Sequence, residues 1–146
     1  MPRDPEESAA ELFEQGFTCG QAVLAAFAER HGVDRDTALK LACAFGGGVA
    51  RTGSTCGAVN GALVAIGLAH GRTRLEDIAA REKTYDAARA FLERFRQEHG
   101  SDACRELLGI DISTAAGHEA AMKAGLFTSR CPGFVRSAAR IVATLV

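Results

Sequence analysis

Cysteine is the residue type whose placement in this chain invites chemistry. Five occur: Cys19, Cys43, Cys56, Cys104 and Cys131. Four sit where helices are expected to start. Cys19 follows the N-cap type Thr18, Cys56 follows Thr55, Cys104 lies in the first turn after Ser101, and Cys131 directly precedes Pro132. A helix N-terminus offers unpaired N–H groups and partial positive charge, which stabilise a thiolate and lower its pKa. The thiolate is both the nucleophile of disulfide exchange and the form that ligates metal. Cys43, between Ala42 and Ala44, reads instead as inert core packing in mid-helix.

The segment around Cys56 sharpens the picture. Phe45-Gly46-Gly47-Gly48-Val49-Ala50-Arg51-Thr52-Gly53-Ser54-Thr55-Cys56-Gly57-Ala58-Val59-Asn60-Gly61 is too glycine-rich for ordinary core. Ser54 stands where a phosphate-binding Walker loop needs lysine, so nucleotide binding there is rejected. Gly57 and Gly61 fall on one helical face and open a groove in which another helix, or a cofactor, can approach the backbone. Cys56, between the glycine loop and a helix start, is expected to be the thiolate-rich member. Arg51 and Arg130 are candidates for positive charge beside Cys56 and Cys131, or for plain solvent-facing residues.

The elements that must hold these cysteines are helical. Ser8-Ala-Ala-Glu11 reads as a capping box within a first helix that ends at Gly16, and Thr18-Cys19-Gly20-Gln21 as a second box opening a helix to about Arg30. Asp34 caps a third helix carrying Ala38, Leu41, Cys43 and Phe45 as far as Gly46. A small-residue helix is expected over 57–69. Thr73-Arg-Leu-Glu76 then caps a long helix to about His99, with Ile78, Tyr85, Ala88, Phe91, Leu92 and Phe95 facing inwards. Ser101 caps a short helix, a weaker stretch covers about 114–123, and Pro132 opens the last. No hairpin dipeptide or period-two run appears, which predicts one all-α, bundle-like domain of about six to eight helices over 1–146.

Bulk properties exclude several classes. With 17 Lys+Arg against 18 Asp+Glu, the net charge of −1 lacks the basic face of a nucleic-acid binder. Hydrophobic residues at 47% and charged residues at 24% exclude wholesale disorder. The longest mostly apolar run, 58–69, is shorter than the roughly 20 residues of a spanning helix, so no membrane span is expected. The charged start, Met1 to Glu11, lacks the apolar core of a signal peptide, so the expected compartment is the reducing cytoplasm. There, clustered cysteines point to redox turnover or metal ligation rather than structural disulfides. His31, His70 and His99 fall near helix C-termini, where an imidazolium favours the dipole, and His118 reads as surface. No Ser-His-Asp order or carboxylate pair points to a hydrolase.

The order Cys19, then Gly46-Gly47-Gly48 with Cys56-Gly57-Ala58-Val59-Asn60-Gly61, then Cys104 and Cys131, resembles the C_GCAxxG_C_C family of small bacterial redox-active proteins. The likeness runs from about Leu12 to Val142 and takes in the Thr18-Cys19-Gly20-Gln21-Ala22-Val23 and Cys131-Pro132 contexts. It implies that Cys19, Cys56, Cys104 and Cys131 are the functional cysteines and leaves Cys43 as an extra. Two readings follow. In one, the four are redox-active in thiol–disulfide electron transfer, as in a thiol–disulfide oxidoreductase, with a redox partner protein or small thiol as the other reactant. In the alternative, they ligate an iron–sulfur cluster or zinc in an electron carrier or binding module.

Overall fold

The computed structural model describes residues 3–146. It is all-helical, and its only strand-like pairing among these residues is an isolated bridge between Thr55 and Ala103. Seven helices have eight residues or more: α1 (Pro5–Glu14), α2 (Cys19–Ala28), α3 (Arg35–Ala42), α4 (Gly57–His70), α5 (Ile78–His99), α7 (Ala115–Lys123) and α9 (Cys131–Ala143). Two single turns complete it, α6 (Cys104–Leu108) and α8 (Leu126–Ser129). No helix among the described residues is long and apolar enough to cross a membrane.

Local chemistry sets most boundaries. Thr18 caps α2 with both arms of its box, its side chain accepting from Gln21 N–H while Gln21 Oε1 accepts from Thr18 N–H. Asp34 and Thr114 accept from the N–H groups of Thr37 and Gly117 at the starts of α3 and α7. Two starts differ from expectation. α1 begins at Pro5 under an Asp4 cap, because proline suits the first helical position, so Ser8 and Glu11 lie inside the helix. α5 begins at Ile78 under Asp77, whose carboxylate accepts from Ala80 N–H, rather than under Thr73. Ser101 accepts from Ala103 N–H just ahead of α6 instead of capping it, and α8 was not foreseen.

The core lies where α9 packs against α1, α2, α4 and α5. Leu24, Phe27, Val59, Ile66, Phe91, Phe95, Val135 and Val142 are fully or almost fully buried there, each contributing about 1.5–3 kcal/mol by leaving water. Ile78 and Tyr85, expected to face inwards, are about half exposed near the beginning of α5 (55% and 50%). His99 ends α5 between Phe95 and Phe134. Burial lowers its pKa, which disfavours the imidazolium expected at this helix C-terminus.

α2 and α4 meet through glycine. A Cβ added to Gly61 would lie 2.6 Å from Gly20 O, and one added to Gly20 would lie 3.0 Å from Gly57 O. Any side chain at these positions would force the helices apart, and without one the backbones touch. This contact brings the N-terminus of α2 beside that of α4. The face of Gly61, expected to admit a helix or a cofactor, is filled by α2.

Candidate functional site

The α2–α4 contact places Cys19, the first residue of α2, against Cys56, the residue that precedes α4. The two thiols lie close enough that the charge of each depends on the other. Gly57 makes room for them, since a Cβ there would sit 2.6 Å from Cys19 Sγ. The Cys19 thiol is pulled below its ordinary value, first by the Cys56 thiol beside it and then, against burial, by the N–H groups of Gly20, Ala58 and Cys19 itself. Cys56 is driven well above its ordinary value by that same interaction, by burial and by the Cys19 charge. Cys19 is therefore the more acidic thiol of the pair and Cys56 the less acidic. Cys56 had been expected to be the thiolate-rich member. The order is reversed because the interaction between the two thiols lowers Cys19 and raises Cys56, although N–H groups of Ala58 and Val59 also reach Cys56.

A strained loop joins this pair to a third cysteine. After a single 3-10 turn at Cys43–Phe45, residues 47 to 51 all adopt left-handed backbone, including the non-glycine Val49, Ala50 and Arg51 at φ 66°, 51° and 64°. Each such residue costs roughly 1–2 kcal/mol. Bonds across the loop hold it, among them Ala50 N–H to Ala44 O (2.8 Å), Arg51 N–H to Gly46 O (3.0 Å) and Ser54 N–H to Gly48 O (2.9 Å). The end of the loop then zips to the α6 entrance. Cys56 N–H donates to Asp102 O and Cys104 N–H to Ser54 O, both at 2.7 Å. Gly48 clears the way, since a Cβ there would fall 2.5 Å from Cys104 Cβ.

The fourth cysteine comes in through an arginine. Arg130 Nη1 donates to Leu107 O (3.1 Å) and Leu108 O (3.2 Å), capping the carbonyl end of α6. Cys131, next in the chain, is thereby held over the same space as Cys104. Arg130 is thus a clamp rather than a neighbouring charge for Cys131. Burial raises Cys104 to about 11 and Cys131 to about 12, and the Cys19 charge adds to both.

All five cysteines line one cavity of about 620 Å³. Phe13, Phe17, Leu107, Ile112, Phe127 and Phe134 make most of its wall apolar. Among the described residues, Arg51 and His118 are its only nitrogen-bearing side chains, and none of its lining is a carboxylate. Cys43 contradicts its reading as buried core. It caps the end of α3, is exposed and stands on the cavity rim, because the helix stops at Ala42 and turns its next residues outwards. His118, read as surface, is half-buried against Phe127 at 5.4 Å between ring centroids. Sequence reasoning also missed Gly20, whose neighbours Thr18 and Cys19 drew the attention, and the aromatic wall, whose residues come from distant segments.

Among the described residues, no group of three or more His, Cys, Asp or Glu side chains converges closely enough to hold a metal ion. The cysteines share a cavity as free thiols, of which Cys19 and Cys56 form the one closely interacting pair among the described residues. They are not a single donor set, so the residues present do not fit an iron–sulfur cluster or a zinc ion.

A family model described as "Putative redox-active protein (C_GCAxxG_C_C)" matches residues 17–145. No curated protein and no solved structure matches the chain.

Proposed function

The chain belongs to the C_GCAxxG_C_C family of redox-active proteins, and from that premise we propose that it is a thiol–disulfide redox protein whose working pair is Cys19 and Cys56. The observation that carries this reading is the α2–α4 crossing, which sets Cys19 at one helix start against Cys56 at the next with Gly57 leaving room between them, the Cys19 thiol being the one shifted down. The Cys19 thiolate attacks one sulfur of a substrate disulfide, forming a mixed disulfide, and the leaving thiolate takes a proton. Cys56 then gives up its proton and attacks Cys19 Sγ, releasing the second substrate thiol and closing Cys19–Cys56. Two protein thiols are oxidised and one disulfide is reduced. Cys104 and Cys131, protonated at neutral pH, act after the first pair as a slower reserve of electrons. The reducing cytoplasm, where such thiols persist, is the compartment this reading fits.

The test is mild oxidation of the native protein followed by peptide mapping. Cys19–Cys56 should be the first disulfide to form, and Cys19→Ser or Cys56→Ser should abolish it while the helical spectrum is kept. A first disulfide that involves neither residue would overturn the assignment.

A further inference from the structure

The wall of the cavity narrows what this pair reacts with. Cys56 and Cys104 are only 4% and 8% exposed and Cys19 is half-buried, so the pair meets its reactant at the cavity. A peptide disulfide such as glutathione disulfide carries carboxylates and an ammonium group on each half. Among the described residues the wall offers no carboxylate to an ammonium and only Arg51 and His118 to a carboxylate, so burying such a molecule leaves charges unpaired. The space instead suits a neutral, flat, apolar molecule. About 620 Å³ lies within the usual range for small-ligand sites, and Phe13, Phe17 and Phe127 supply ring faces. Arg51 and His118 are the nitrogen donors the wall offers to carbonyl oxygens, the Thr18 and Thr128 hydroxyls being turned to Gln21 and Gly125.

We propose that the cavity binds a quinone-class molecule as the two-electron acceptor of the Cys19–Cys56 dithiol, an inference that rests on the thiol-pair reading above. The Cys19 thiolate adds to a ring carbon, forming a C–S bond, and the displaced ring electron pair moves to a carbonyl oxygen, which takes a proton from solvent. Cys56 loses its proton and its thiolate attacks Cys19 Sγ. The S–S bond forms as the C–S bond breaks, the electron pair returns to the ring as it becomes aromatic, and the second oxygen takes a proton. Two thiols are oxidised to a disulfide and one quinone is reduced to its hydroquinone.

The experiment mixes the fully reduced chain with tetramethyl-1,4-benzoquinone without oxygen. This quinone has no free ring position at which a permanent thioether could accumulate. Hydroquinone should appear in equal amount with the Cys19–Cys56 disulfide, at a rate that saturates with quinone concentration. Phe127→Ala and Phe17→Ala, at half-buried positions, should raise the half-saturating concentration about tenfold with little change in the plateau. Saturation that neither variant shifts would overturn the cavity as the site. Oxidation of the pair by glutathione disulfide, with the quinone reacting no faster than it does with the denatured chain, would overturn the quinone inference and leave the thiol pair standing. Failure of every oxidant to join Cys19 to Cys56 would overturn the thiol-pair reading itself.

Discussion

Cys19 and Cys104 are each the first residue of a helix, yet the two thiols are driven in opposite directions. At Cys19 the α2 and α4 N-termini meet, N–H groups from both favour the charged sulfur, and the Cys56 thiol beside it lowers its pKa further. At Cys104 the helix is one turn long and burial dominates, raising the thiol to about 11. Cys131 opens the longer α9, but Pro132 behind it has no N–H to offer, and its thiol rises to about 12. Position at a helix start therefore does not by itself make a reactive cysteine. Donors aimed at the sulfur must outweigh the loss of water, and only the glycine-packed crossing of α2 and α4 achieves that.

The comparison breaks most directly at the crossing. Gly61→Ala puts a methyl group 2.6 Å from Gly20 O, so it should cost about 2–3 kcal/mol in chemical denaturation and slow formation of the Cys19–Cys56 disulfide. Full stability and normal pairing in that variant would show that the crossing does not hold the pair.

Alkylation against pH sharpens the contrast between the thiols. Iodoacetamide labelling with mass spectrometry should find Cys19 reacting at lower pH than Cys104 and Cys131, by about tenfold or more in rate at neutral pH once the lower intrinsic nucleophilicity of a low-pKa thiolate is allowed for. Exposed Cys43 serves as the accessible reference. The sign follows from the shifts: lowering a thiol pKa increases thiolate at a given pH, and raising it towards 11 or 12 removes thiolate. The smallest effect belongs to Arg130→Ala, which frees the Leu107 and Leu108 carbonyls. It should cost about 1 kcal/mol and speed labelling of Cys131 while leaving Cys19 unchanged, as a thermal melt and the same labelling assay would show.

The residues themselves determined much of this protein. Thr18 with Gln21, Asp34, Thr114 and Pro132 are local signals, satisfied within a few residues of where they stand, so the all-helical class and most helix starts could be read from them. The glycine loop ending on Cys56 likewise marked the site, because only an unusual backbone needs so many glycines in a row. Local signals also misled: Cys43 has alanine neighbours, but helix α3 ends one residue before it, and its exposure depends on that end. The pairing of Cys19 with Cys56 depended on Gly20 meeting Gly61 across two helices. The approach of Cys104 depended on Ser54 and Asp102 accepting its N–H and that of Cys56. Which thiol carries the charge was decided only by the tertiary structure, because a pKa is set by every donor and neighbour that reaches the sulfur, and those come from segments far apart in the chain.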